Sequence, residues 1–211
     1  MIRDKETTKE RLIDAVGRII AETGFQGIGI NAVARKAGVD KVLIYRYFGD
    51  LDGLLLAFIA QNDYFSTLEH FPGRHRTITS KADIIEMSKQ TLIGQLRHVL
   101  NNKGLQEILL WELSQKNQVT DAIAEARERQ GLAMLETMKA LVDVDEVDIP
   151  AIGSLLVGGI YYLVLRAQVV ATYSGIDLKT EEGWQRIEQA IHYLLDCIAE
   201  KMDASNDAQT A

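Results

Sequence analysis

The sequence predicts an all-α protein, and three observations carry that expectation. Apolar residues recur with a helical period over long stretches of the 211-residue chain. Only two prolines, Pro72 and Pro150, interrupt those stretches. Short alternating Val/Ile/Thr runs bounded by turn residues, the mark of strands, are nearly missing. Hydrophobic content of 47% is enough for a real core, and the length suits one large domain or two modest ones.

Residues 7–24, TTKERLIDAVGRIIAETG, read as the first amphipathic helix. Thr7 and Glu10 have capping-box spacing, Leu12, Val16, Ile19 and Ile20 form the apolar face, and Gly24 suits the stop. Ile30, Val33, Ala34 and Ala37 make one apolar stripe of a short second helix. Gly38 supplies a permissive turn, and the Asp40 carboxylate suits the free N–H groups of a third helix. Along that helix Ile44 and Phe48 point inward, which leaves Lys41, Tyr45 and Arg46 outside. Asp50 caps a fourth helix running through Leu54, Leu55, Phe58 and Ile59. A short outward-facing helix carrying Lys, Tyr and Arg has what a major-groove reader needs.

In its first 60 or so residues the chain resembles the tetracycline-repressor (TetR) family of transcriptional regulators. The resemblance rests on Gly24-Phe25, on the AxxAGV segment 34–39, on Ile44-Tyr45-x-Tyr47-Phe48, and on the Leu-rich start of the next helix. It implies an N-terminal three-helix helix-turn-helix domain over residues 1–50 and a connecting helix over 51–66. It also implies a C-terminal helical domain for effector binding and dimerisation over 67–211. Three positions depart from the family pattern. Ile28-Gly29 stands where Thr or Ser is usual before the second helix, Val42 replaces a small residue or Pro, and Leu51 replaces a phosphate-contacting Lys. Loss of that Lys predicts weaker phosphate clamping there.

The residue chemistry sorts the DNA face. Lys41 and Arg46 suit a guanine edge or a phosphate, Arg46 with two nitrogens at once. Val42 and Leu43 suit thymine methyl groups. Asn31 opens the preceding helix within reach of a phosphate or base, and Lys5 and Lys9 lie near enough in sequence to touch the backbone. The resemblance assigns Tyr45 to a phosphate contact and gives Tyr47 a similar role.

Five more helices are expected, near 81–102, 104–116, 118–142, 150–174 and 180–202. Residues 70–79 read as a loop around Pro72 and Gly73, residues 142–150 as an acidic connector, and residues 204–211 as a frayed end. Pro150 suits a first helical turn. The 150–174 segment is apolar around most of its circumference and needs cover on several sides. Family members pack their two C-terminal helices against a second copy as a four-helix bundle, which makes Leu155, Gly158, Tyr162, Val169, Ile191, Leu195 and Ile198 candidates for a dimer interface. Two reading helices on a twofold axis meet palindromic half-sites about one duplex turn apart. Family members also respond to a small molecule in the C-terminal domain. Met87, Trp111, Met134, Met138 and Tyr161 offer adaptable or aromatic walls, and Gln95 and His98 offer polarity, for a small apolar or amphiphilic effector.

The net charge of −7 is unevenly spread. Residues 1–50 carry 9 Lys/Arg against 7 Asp/Glu, and the remainder 14 against 23. A local basic face, not a basic whole, is what phosphate contact requires. One cysteine, Cys197, excludes an internal disulfide framework. With no secretory-type leader and an apolar run from Leu155 to Ala171 broken by Arg166 and Gln168, the chain reads as soluble and cytoplasmic, without a membrane span.

Rival functions have weaker support. His192, Asp196 and Cys197 lie close together, but Cys197 is rotated about 100° from Asp196 around the helix, a poor geometry for nucleophilic catalysis. Gly24-x-x-Gly27-x-Gly29 lacks the preceding strand and following Lys-Ser/Thr of a phosphate loop. Asp143, Asp145, Glu146 and Asp148 lack the Gly and terminal Glu of a calcium loop, and the four His do not space like zinc ligands. No enzyme activity, cofactor or metal is expected. The alternative from another class is a helical dimer that binds a partner protein and no DNA.

Overall fold

The computed structural model describes residues 2–62, 80–139 and 147–209, apart from the side chains of residues 2–4, 62, 134, 137–139 and 202–209. The expected loop at 70–79 and most of the acidic connector, with Asp143, Asp145 and Glu146, lie outside that range.

The described residues form helices α1 (Ile2–Thr23), α2 (Ile30–Ala37), α3 (Val42–Phe48), α4 (Leu51–Asn62), α5 (Lys81–Asn101), α6 (Lys103–Ser114), α7 (Gln118–Lys139), α8 (Ile149–Arg166) and α9 (Glu181–Gln209). A 3-10 turn, Phe25–Gly27, joins α1 to α2, and a small antiparallel hairpin, β1 (Thr172–Tyr173) and β2 (Ile176–Asp177), lies between α8 and α9. The fold is thus all-α with that one addition.

Helix starts follow side-chain chemistry. Asp40 Oδ1 accepts from Val42 N at 2.8 Å ahead of α3, and Asp50 Oδ1 accepts from Gly53 N at 2.8 Å in α4. Ser80 and Asp83 form a reciprocal box at α5, with Ser80 N donating to Asp83 Oδ2 at 3.0 Å and Asp83 N to Ser80 Oγ at 3.1 Å. Asn102 caps α6 and Asp148 caps α8, each accepting from a backbone N–H at 3.0 Å. Pro150 sits in the first turn of α8, as expected.

Three boundaries differ from the sequence expectation. α1 begins at Ile2, so Thr7 and Glu10 lie inside the helix and do not start it. α8 stops at Arg166, eight residues before the expected end, because the chain turns back at Ser174 (φ 49°) and Gly175 (φ 77°) to pair β1 with β2. α9 continues as helix to Gln209, through residues expected to fray.

Two compact units divide the chain. The first comprises residues 1–66 and 102–127, the second 67–101 and 128–211. In the first, Leu12, Val16, Val33, Ile44, Leu54 and Phe58 share one core with Ile108, Val119 and Ile123, which is why α6 and the beginning of α7 group with the N-terminal helices. In the second, α5 packs against α8 and α9, burying Ile84, Leu92, Leu96 and Val99 with Ile160, Val164, Trp184, Ile191 and Leu195.

Candidate nucleic-acid interface

The turn between α2 and α3 is fixed from both sides. Gly38 adopts φ 66°, ψ 40°, its N–H donates to the Arg35 carbonyl at 3.2 Å, and Val39 N donates to the Ala34 carbonyl at 3.0 Å. This closes the carboxyl end of α2 with a left-handed residue that only glycine adopts without strain. Arg11 of α1 adds a clamp that sequence reasoning missed. Its Nη2 donates to the Ala37 carbonyl at 2.6 Å and to the Gly38 carbonyl at 3.4 Å, a cation on the negative end of a helix. A Cβ on Gly38 would stand 3.2 Å from that same nitrogen.

α3 is anchored through one face. Ile44 is completely buried, and Phe48 packs beside it. On the opposite side Val42 is 52% and Tyr45 49% exposed, with Lys41 and Arg46 also exposed. Among the described residues, neither Lys41 nor Arg46 is held in an ion pair, whereas Lys36 on α2 is neutralised by Glu22 at 2.5 Å. The outward row is therefore cationic and phenolic with no carboxylate on it.

The other expected DNA residues divide. Asn31 is exposed at the start of α2. Lys5 lies with its Nζ 5.7 Å from the Tyr47 ring centre, a cation-over-ring arrangement that holds the amino end of α1 beside α3. Lys9 pairs with Glu6 at 3.3 Å, which lowers its worth to a phosphate. Leu43 is half-buried, packing in part against the core from the flank of α3. Tyr47 is likewise half-buried on that core. Leu51 packs inward too, so the replacement of the family's Lys leaves no apolar side chain standing free at that corner. Gly29, where Thr or Ser is usual, begins α2 without a side-chain cap.

The expected effector residues also separate. Trp111 stacks on Phe25 at 4.3 Å and belongs to the first unit. Met87, Gln95 and His98 of α5 and Tyr161 of α8 lie in the second unit, all half-buried, and Gln95 Nε2 donates to the Tyr161 hydroxyl. Burial pushes the His98 imidazole below its ordinary range. The side chains of Met134 and Met138 on α7 lie outside the described residues.

Of the expected interface residues, Leu155 is 77%, Tyr162 49% and Val169 73% exposed, and Gly158 is exposed between the first two. Ile191 and Leu195 are corrections, because both are buried in their own unit, and Ile198 is half-buried. The outward apolar residues of α9 are instead Tyr193 and Leu194. By length and composition the 18 residues of α8, with mean hydropathy 1.6, suffice to cross a bilayer, although only 17% of them are buried within the chain. Asp196 forms an ion pair with Lys89, so it does not orient His192.

Comparison with known proteins matches this geometry. Residues 12–58 fit the family model described as bacterial regulatory proteins, tetR family. The HTH-type transcriptional regulator BetI of Burkholderia thailandensis is 36% identical over 78 residues, 37% of this chain and 39% of that protein. The chain thus spans about two-fifths of the length of that curated relative. A TetR family transcription regulator of Marinobacter aquaeolei superposes with a TM-score of 0.61 at 21% identity, over 93% of this chain and 97% of that one. The regulator FadR of Bacillus subtilis in complex with stearoyl-CoA gives 0.59 at 17%, over 88% and 96%. An all-α chain with an N-terminal helix-turn-helix and a second helical unit is the fold shared with these solved structures. Within the chain, residues 12–58 are thus a segment of tetR-family type.

Proposed function

We propose that this protein is a ligand-responsive repressor that binds palindromic double-stranded operator DNA as a homodimer in the cytoplasm. The observation that carries the proposal is the two-sided build of α3, with Ile44 fully buried and Lys41, Val42, Tyr45 and Arg46 outward. Burying one face fixes the helix, and the opposite face is then free for base edges and phosphates. Asn31 and Lys5 flank this row as backbone contacts, with Lys9 and Tyr47 in supporting positions.

Leu155, Gly158, Tyr162 and Val169 supply the subunit interface, joined by Tyr193 and Leu194 of α9. Leu155 and Tyr162 stand seven residues apart on α8, Gly158 between them permits close approach of another helix, and Val169 lies just past the helix end. Exposed apolar surface of this kind is covered in a soluble oligomer. The effector is a small apolar or amphiphilic molecule taken up by the second unit, a reading supported by the stearoyl-CoA held by the FadR neighbour. It acts by preferring a subunit geometry in which the two reading helices no longer match successive grooves.

The test is Arg46→Ala on an operator selected from random duplexes. Loss of about 1–3 kcal/mol of binding with relaxed preference at one base position is expected for a base contact. Unchanged affinity and unchanged preference would remove Arg46 from the interface. Binding insensitive to salt would favour the protein-interaction module over a DNA reader, because phosphate contacts release counterions.

A further inference from the structure

One face of α5 is polar where a core helix is normally apolar. Ser88, Thr91, Gln95 and His98 follow one another at spacings of three and four residues and so form a single stripe. Ser88 and Thr91 are buried, Gln95 and His98 half-buried, and Leu92, Leu96 and Val99 beside them are core residues. Ser88 turns its hydroxyl onto the Ile84 carbonyl of its own helix at 2.8 Å, and Gln95 donates to the Tyr161 hydroxyl of α8. The Nε2 atom of His98 is buried and meets no hydrogen-bond partner among the described residues. Such an atom lowers stability unless something else uses it. The two strong cations of α5 nearest this stripe, Lys89 and Arg97, are committed elsewhere, Lys89 to Asp196 and Arg97 to Glu181 and Glu188 of α9. Burial favours the neutral form of His98. The stripe therefore offers hydrogen bonds without net charge.

We propose that His98, with Gln95 and Tyr161, grips the polar end of the effector, and that this end is an uncharged hydrogen-bonding group, an alcohol or a ketone, on an otherwise apolar molecule. This rests on the effector reading given above and sharpens it to a ligand class. A carboxylate or ammonium head would surrender its hydration for a half-buried stripe whose neighbouring cations, Lys89 and Arg97, already have carboxylate partners.

The full-length protein is titrated with four compounds of matched chain length: decanol, methyl octyl ketone, decanoate and decylammonium. Calorimetry gives affinity, and thermal denaturation is followed in parallel. Wild type is expected to bind decanol and the ketone and to discriminate against both ions. His98→Leu is expected to weaken decanol by about tenfold or more while melting, ligand-free, no lower than wild type, because it removes an unmatched nitrogen. His98→Gln, which keeps a donor and an acceptor, retains decanol binding, and Gln95→Leu loses it. Tighter binding of decanoate or decylammonium than of decanol overturns the inference but leaves the effector reading standing. So does unchanged decanol affinity in His98→Leu. A ligand-free His98→Leu protein that melts well below wild type assigns His98 to the core and overturns it as well. No response to any of the four compounds, in protein that still binds its operator, overturns both readings.

Discussion

Gly38 and Arg11 show how α3 is aimed by residues outside its own span. The left-handed turn at φ 66° lets the chain leave α2 at the angle α3 needs, and Arg11 ties that turn to α1. Gly38→Ala is expected to cost about 1–2 kcal/mol through the left-handed conformation alone, read as a lowered melting temperature. Operator affinity should fall with it, since the arginine must shift to admit the new Cβ. Ile44→Ala removes a fully buried anchor and should cost about 2–5 kcal/mol. His98 gives a pH signature. Its folded-state pKa is lowered from the ordinary 6.5, so the unfolded chain binds more protons just below that value, and stability falls as pH drops through this range. His98→Leu should flatten that part of the pH–stability curve. At this scale Ile44, Lys41, Tyr45 and Arg46 were legible from periodicity, because a short helix leaves few choices of inward residue. Arg11 was not, since its partners lie 26 and 27 positions away and nothing local marks it. The half-burial of Leu43 was not legible, because an apolar residue beside the buried stripe fits either side of so short a helix.

The helices themselves were mostly visible in the sequence, since Asp40 and Asp50 mark their own starts with side-chain oxygens, while the caps Asn102 and Asp148 emerge from the structure. The end of the eighth helix was not. Its apolar character runs on through Ala167, Val169 and Val170, while the signal that turns the chain is the pair Ser174-Gly175, both with positive φ. Leu178 N donating to the Ala171 carbonyl at 2.8 Å and Arg186 donating to the Gly175 carbonyl at 3.2 Å then hold the hairpin shut. Tertiary closure of this kind overrides a pattern that period alone would extend. α2 is an element with something missing. Gly29 has extended backbone, no side-chain cap and open space where a Cβ would go. Gly29→Ser should therefore stabilise the protein by about a few tenths of a kcal/mol, measured by denaturant titration, because serine caps better than glycine by that amount.

Across the whole molecule, charge and oligomeric state decide function. The chain carries −7 overall, yet α3 presents two cations free of ion pairs among the described residues. DNA affinity should fall linearly with the logarithm of salt, and Lys41→Ala should reduce that slope by about 1 if Lys41 meets a phosphate. Leu155→Lys places a charge on the most exposed apolar residue of α8. Sedimentation should show it shifting a dimer toward monomer, with operator affinity falling because two linked binding events become one. The exposed apolar face proposed for subunit pairing was only half legible in the sequence. Leu155, Tyr162 and Val169 announced an apolar face, but the inward turn of Ile191 and Leu195 depends on which side of α9 meets α5, and an amphipathic period does not say which partner covers its stripe.

Selection of bound duplexes from a random pool by the full-length protein tests the central claim most directly. Two outward-facing copies of α3 predict enrichment of an inverted repeat with half-site centres about 10 base pairs apart, or a multiple of that spacing, with preference altered by Arg46→Ala. Enrichment of no sequence, or of one whose preference survives Arg46→Ala and Lys41→Ala together, would contradict it.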